Sequence, residues 1–201
     1  MAITISIPKN NAGITLQKFV AYQSGRNEVE RVMAATGQSR RVVEGFKMRT
    51  LNELIDTFDN AIKVGVPMHQ QTVVINGVRL GFIPDLNDLT LREHIDLDTY
   101  AQEIWTKDGN NYTNLPKLMA ILFRRVTDIF GNYYRIEPYD SERVREYIDI
   151  VNLLTMDKVN GALVFFSTIV KELGKSGAEY LTEALTPTTT EGTGTMDTER
   201  G

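Results

Sequence analysis

Cysteine is absent from the chain, which removes disulfides, thiolate metal sites and thiol nucleophiles and leaves packing alone to hold the fold. A reducing compartment suits that composition. Long hydrophobic runs are absent as well. The longest uncharged stretch of the apolar C-terminal part, residues 159–170, falls well short of the roughly 20 residues a helix needs to cross a bilayer. It is expected to be a core helix and not a membrane anchor. Residues 1–8 carry neither the basic n-region nor the apolar run of a signal peptide and are expected to belong to the folded protein. An excess of cationic residues is also absent, since 22 Lys and Arg stand against 26 Asp and Glu, a net charge of −4. That balance argues against a general polyanion binder, because affinity for phosphate backbones comes from clustered Lys and Arg that displace counterions.

The usual markers of chemistry are missing in turn. The sequence contains no Gly-x-x-x-x-Gly-Lys-Ser/Thr phosphate loop, no Gly-x-Gly-x-x-Gly dinucleotide fingerprint and no Gly-x-Ser-x-Gly nucleophile elbow. The two histidines, His69 and His94, do not form a His-x-x-x-His pair, so a shared metal would require the fold to gather them with carboxylates. A loop histidine and a helix-surface histidine are the simpler expectation. Asp85, Asp88, Asp96 and Asp98 look like a cation loop only superficially. In an EF-hand frame opened at Asp85, position 5 is Leu89, and position 6, where the sharp turn needs glycine, is Thr90. Turn and helix-capping roles account for these acids better. The expectation is a protein that is not an enzyme and uses neither cofactor nor metal; a hydrolase with an unrecognised carboxylate pair is a distant alternative.

What is present is mostly architectural. With 42% apolar and 24% charged residues, the chain can build a core in one domain or two small ones. The clearest local signal lies at 72–82, where Asn76-Gly77 separates two apolar runs. Both central residues of a type I′ turn need positive φ, which Asn and Gly tolerate best, so a β-hairpin is expected. Ile3, Ile5 and Ile7 alternate with Thr4 and Ser6 until Pro8, a period-2 strand that could supply the third partner a marginal hairpin needs.

Helical spacing of apolar residues predicts segments at about 14–23, 27–35, 39–46 and 51–62, the last opened by a Thr50-to-Glu53 capping box. A second capping box, Thr90 to Glu93, predicts a short helix, with a further one at 97–106. Leu118, Ile121, Leu122, Val126 and Ile129 predict a helix over 115–130 that Gly131-Asn132 ends, Ser141 is expected to cap a helix to 154, and residues 156–173 form the most apolar helix. A short helix at 177–185 is expected before a Thr-rich tail.

The expected fold is therefore α+β and mainly helical, a helical core with a small antiparallel three-stranded sheet made of the N-terminal strand and the Asn76-Gly77 hairpin. Residues 1–66 are expected to hold the N-terminal strand and small helices, and 67–185 the hairpin and apolar core. Residues 186–201 have little to bury and are expected to be disordered or held by a partner.

Two surface constellations suggest binding. Residues 29–44 read as helix, Gly37 turn and Ser39-capped helix, in the manner of a helix-turn-helix. Between Arg26 and Arg49 basic residues outnumber acidic ones six to three, so Arg40, Arg41 and Lys47 are the candidate DNA-binding residues of an alternative reading, a small regulator. The other constellation is Arg124-Arg125 with Tyr133 and Tyr134, a candidate protein interface. The arginines could instead pair with Glu137, Asp140 or Glu142, and the tyrosines could be packing groups.

The order of several segments resembles small virion or tail-morphogenesis proteins of tailed bacteriophages. The matching pieces are Ile14-Thr15-Leu16-Gln17-Lys18-Phe19, the run Asn76-Gly77-Val78-Arg79-Leu80-Gly81-Phe82-Ile83-Pro84-Asp85-Leu86, and Leu89 through Tyr100. They continue with Leu115 through Arg125, Tyr134-Arg135-Ile136-Glu137-Pro138-Tyr139 and Gly161-Ala162-Leu163-Val164-Phe165-Phe166. The resemblance is one of pattern and covers most of residues 14–173. It differs at Arg125, where a proline would be usual, and in the tail. It implies a non-enzymatic structural component or assembly chaperone whose partners are other phage proteins or further copies of itself, working in the host cytoplasm during assembly or in the virion.

Overall fold

Eight α-helices, two single-turn 3-10 helices and six strands lie within residues 5–85, 88–131 and 133–172, the part described by the computed structural model. In chain order the α-helices and strands are α1 (Leu16–Gln23), α2 (Glu28–Thr36), α3 (Arg40–Val43), α4 (Met48–Lys63), β1 (Thr72–Ile75), β2 (Val78–Phe82) and α5 (Leu91–Ile104). There follow β3 (Trp105–Thr106), β4 (Gly109–Asn110), α6 (Leu115–Leu122), β5 (Phe123–Phe130), β6 (Tyr133–Ile136), α7 (Val144–Val151) and α8 (Met156–Glu172). The fold is α+β and mainly helical. Its principal sheet has four antiparallel strands in the order β1-β2-β5-β6, and β3 and β4 form a separate two-stranded one.

The Asn76-Gly77 hairpin forms as its turn chemistry requires. Asn76 has φ 49° and Gly77 φ 79°, and Ile75 faces Val78 across the turn. The third strand of this sheet is not the expected one. Residues 5–7 belong to no strand, and Ile3 lies outside the described residues, as do the expected helix at 177–185 and the tail at 186–201. The partner of β2 is β5, and the helix expected over 115–130 stops at Leu122. Phe123-Arg124-Arg125-Val126-Thr127-Asp128-Ile129-Phe130 is rich in aromatic and β-branched residues, which suit a pleated, half-buried surface. Pairing with β2 outweighs the helical spacing that Val126 and Ile129 happen to share with α6.

Local capping explains the other shifts of boundary. Thr15 and Asn27 cap α1 and α2 through their side chains. The Thr50-to-Glu53 box does not form, because α4 begins a turn earlier at Met48 and Glu53 pairs with Arg49 at 2.9 Å. Ser141 likewise does not cap α7, which starts at Val144 after a turn. The Thr90-to-Glu93 box does form, and it opens one continuous α5 where two helices were expected.

The main core takes Ile14, Leu16, Phe19 and Phe58 from the first third of the chain together with Leu80, Phe82, Leu97, Leu118, Ile121, Phe123, Val151, Val159 and Phe166. It therefore draws on both sides of residue 66. Val32, Val43, Leu51 and Ile55 form a smaller cluster among α2, α3 and α4. Residues 64–70 cross α8 at Gly161, where a Cβ would collide with the Met68 and His69 backbone. Met68 N donates to Asp157 O at 2.9 Å there, which brings β1 beside the start of α8.

Candidate protein-contact site

The β5–β6 ribbon grows out of the sheet. β2 pairs with β5 only through Leu80–Arg125, Gly81–Arg124 and Phe82–Phe123, whereas β6 pairs with it from Val126 to Phe130 across an irregularity between Val126 and Asp128. Such a break in register bends and twists a ribbon. Tyr134 and Ile136 consequently fold back over β2 at Gly81, where any Cβ would lie 2.5 Å from the Tyr134 ring. The Tyr134 hydroxyl donates to Phe82 O at 2.6 Å, and burial pushes its pKa up to about 12.

Strand alternation sends Arg124 and Arg125 in opposite directions. Arg124 is 7% exposed and its Nη2 meets Glu93 Oε1 at 2.7 Å. Glu93 Oε2 meanwhile accepts from Thr90 N and from the Thr90 hydroxyl, both at 2.7 Å, so a single buried carboxylate caps α5 and holds β5. The guanidinium also sits 5.9 Å from the Tyr139 ring centroid, and its Nε has no hydrogen-bond partner among the described residues. Desolvation lowers the Arg124 pKa, and Glu93 opposes that. The candidate pairing with Glu137, Asp140 or Glu142 is thus corrected for Arg124, whose carboxylate partner is Glu93, while Glu137 serves Arg143 at 3.4 Å and the Tyr147 hydroxyl. Tyr139 donates to Asp96 Oδ2 at 2.5 Å, tying residues 137–140 to α5.

Of the four interface candidates, Arg124 and Tyr134 are therefore groups of the fold, while Arg125 and Tyr133 lie on the surface. Tyr133 is 81% exposed and sits at the ribbon tip with Ile129 and Phe130, themselves about half exposed. The Arg135 guanidinium lies 5.4 Å from the Phe130 ring centroid. The tip is thus apolar and aromatic with a cationic edge, a composition suited to the centre of a protein interface. Helical spacing over 115–130 hides the place of Ile129 and Phe130 at this tip. The signal was there in Gly131-Asn132, a hairpin dipeptide read as a helix stop.

Of the alternative candidates, Arg40 and Arg41 fall on α3, a single turn of four residues, and Lys47 is the residue before α4. Arg40 is held by Glu30 at 3.3 Å and Glu44 at 3.4 Å, while Arg41 and Lys47 are exposed. Elsewhere in the stretch, Arg31 pairs with Asp59 at 3.1 Å. His69 stacks on Phe165 with ring centroids 4.5 Å apart, and burial lowers its pKa; His94 lies on α5. Asp96 and Asp98 accept from Arg92 and Gln102 on the same helix. Among the described residues no group of three or more His, Asp or Glu side chains is placed to share a metal ion, and no helix is long and apolar enough to cross a membrane. Comparison of the chain with protein-family models, with curated proteins and with solved structures finds no match.

Proposed function

We propose that this protein is a non-enzymatic component or helper of virion or tail assembly in tailed bacteriophages, acting through protein–protein contacts made by the β5–β6 ribbon. The pattern-level resemblance supplies the setting. The observation that carries the contact reading is the contrast within the ribbon: Ile129, Phe130 and Tyr133 stand exposed at the tip of a hairpin whose root is fixed by a buried ion pair. Phe130 and Tyr133, a cross-strand pair, share one face of the tip, and aromatic groups of this kind supply large contact area at an interface centre.

Mass spectrometry of purified particles and of tail precursors from infected cells tests this reading. The chain is expected in one or the other, as a component or as a chaperone, and its absence from both would sink the proposal. The DNA-binding alternative rests on Arg41 and Lys47, with Arg40 already engaged by two carboxylates. A salt-sensitive shift of duplex DNA, lost on Arg40→Ala/Arg41→Ala, would put the regulator in its place.

A further inference from the structure

The other edge of the principal sheet is β1, and its chemistry leaves it open. Ile75 and Val78 flank a two-residue turn, so they form a hydrogen-bonded pair, and alternation along an antiparallel ladder makes Val73–Leu80 the next. Phe82 N donating to Gln71 O at 2.8 Å continues the series. Thr72 and Val74 therefore turn their amides and carbonyls away from β2, where no strand among the described residues meets them.

Sheet edges are ordinarily protected by charges, proline or a bulge. Thr72-Val73-Val74-Ile75 has none of these, and Val74 is 61% exposed. Beside the strand lies a groove of about 550 Å³, bounded by residues 72–76 on one side and by Leu153, Leu154, Thr155 and Lys158 on the other. Lys158 Nζ donates to Thr155 Oγ1 at 2.9 Å and has no ion pair among the described residues. Arg79, the cross-strand partner of Val74, is exposed and likewise without one. No acidic residue lines the groove. In a chain of net charge −4 the groove thus carries a cation, Lys158, and no anion, with Arg79 on the neighbouring strand, beside strand amides that no described strand pairs.

We propose that β1 accepts an extended, acidic segment of a partner protein as a fifth strand, its backbone pairing with Thr72 and Val74 and a carboxylate meeting Lys158. Main-chain bonds supply affinity in this mode and the flanking groups supply selectivity. A second copy of the chain is disfavoured, because pairing β1 with itself would bring two Lys158 and Arg79 sets towards each other. The inference rests on the reading of the protein as one that works by contacts, and it names a site separate from the ribbon tip.

The test uses the full chain with the peptide acetyl-Thr-Val-Glu-Val-Thr-Glu-amide, its counterpart with Lys for both Glu, and hydrogen exchange resolved by residue. The acidic peptide is expected to slow exchange at Thr72 and Val74 and to bind at least tenfold more tightly than the basic one. Lys158→Glu is expected to reverse that preference. Val74→Pro is expected to abolish binding without unfolding the protein, because the lost N–H points outward on an edge strand; an unchanged melting temperature checks this. Unaltered exchange at Thr72 and Val74, or equal binding of the two peptides, overturns the proposal. So does protection of these amides in the protein without peptide: a dependence on protein concentration would identify a second copy, and independence a segment of the same chain. Tyr133→Ser should leave peptide binding intact. A failed peptide experiment with the chain present in particles removes only this inference, whereas absence from particles and precursors removes the assembly reading.

Discussion

The root and the tip of the β5–β6 ribbon are built from opposite materials. At the root, Phe123 and Arg124 are almost wholly buried, Gly81 gives room for Tyr134, and Glu93 answers two demands with one carboxylate. Seven residues further on, Phe130 is half exposed and its cross-strand partner Tyr133 more so. A buried ion pair contributes little net stability, since desolvation offsets attraction, but it penalises every arrangement that leaves one charge alone. The pair therefore fixes where the ribbon leaves the body, and the tip, free of packing duties, is available to a partner.

The largest effect is expected from breaking the root. Arg124→Ala leaves the Glu93 carboxylate buried without its counter-charge and with only its two bonds from Thr90, a change that typically costs about 3–5 kcal/mol. Urea unfolding should show a lower midpoint, and residues 123–136 should lose amide protection before the helices do. Next comes Gly81→Val, which drives a side chain into the Tyr134 ring and Ile136. Overpacking of this kind costs about 1–3 kcal/mol, and it should free the Tyr134 hydroxyl from Phe82 O. If either variant were as stable as the parent, root and tip would not differ as described.

These sites also show what the sequence makes legible. The Asn76-Gly77 hairpin, the Thr90-to-Glu93 box and the mainly helical α+β class could be read because each rests on chemistry within a few residues. The fate of residues 123–130 could not. Their apolar residues fit a helical stripe continuing α6, and only β2, some 40 residues earlier in the chain, decides for a strand. The partner of Arg124 is hidden for the same reason: the acids near it in sequence are Glu137, Asp140 and Glu142, while Glu93 reaches it through the fold. Arg125 and Tyr133 could be picked as surface residues, but not separated from Arg124 and Tyr134 without knowing that alternation, not helical turning, governs the stretch.

Smaller perturbations sharpen the contrast. Thr90→Ala removes the hydroxyl that accepts from Glu93 N and donates to its carboxylate, so about 1 kcal/mol should be lost. The melting temperature should fall, with the ribbon affected through Glu93. Tyr134→Phe deletes one hydrogen bond, worth about 0.5–1.5 kcal/mol, and it carries a pH signature. The raised pKa, up to about 12, means that the folded protein keeps the phenolic proton after the unfolded chain releases it near its ordinary value of 10. The associated stability is present below pH 10 and is lost as pH rises towards 12. The parent should therefore lose more stability over that interval than Tyr134→Phe, and parallel alkaline titrations of the two melting curves would reveal no difference if the hydroxyl were in water.

The smallest effect on stability is expected at the tip, where it is most informative. Tyr133 is 81% exposed, and surface substitutions of this kind usually stay within about 0.5 kcal/mol, so Tyr133→Ser should melt with the parent. Because large aromatic groups at an interface centre often dominate its energetics, the same variant should be depleted from particles or tail precursors in quantitative mass spectrometry. Phe130→Ser should add to the loss, as its ring shares the tip with Tyr133 and lies beside Arg135. Lys107, exposed on the separate β3–β4 turn, serves as a control: Lys107→Ser should change neither melting nor incorporation. Equal incorporation of the Tyr133→Ser variant and the parent would mean that the exposed aromatic tip is not the surface through which this chain meets its partner.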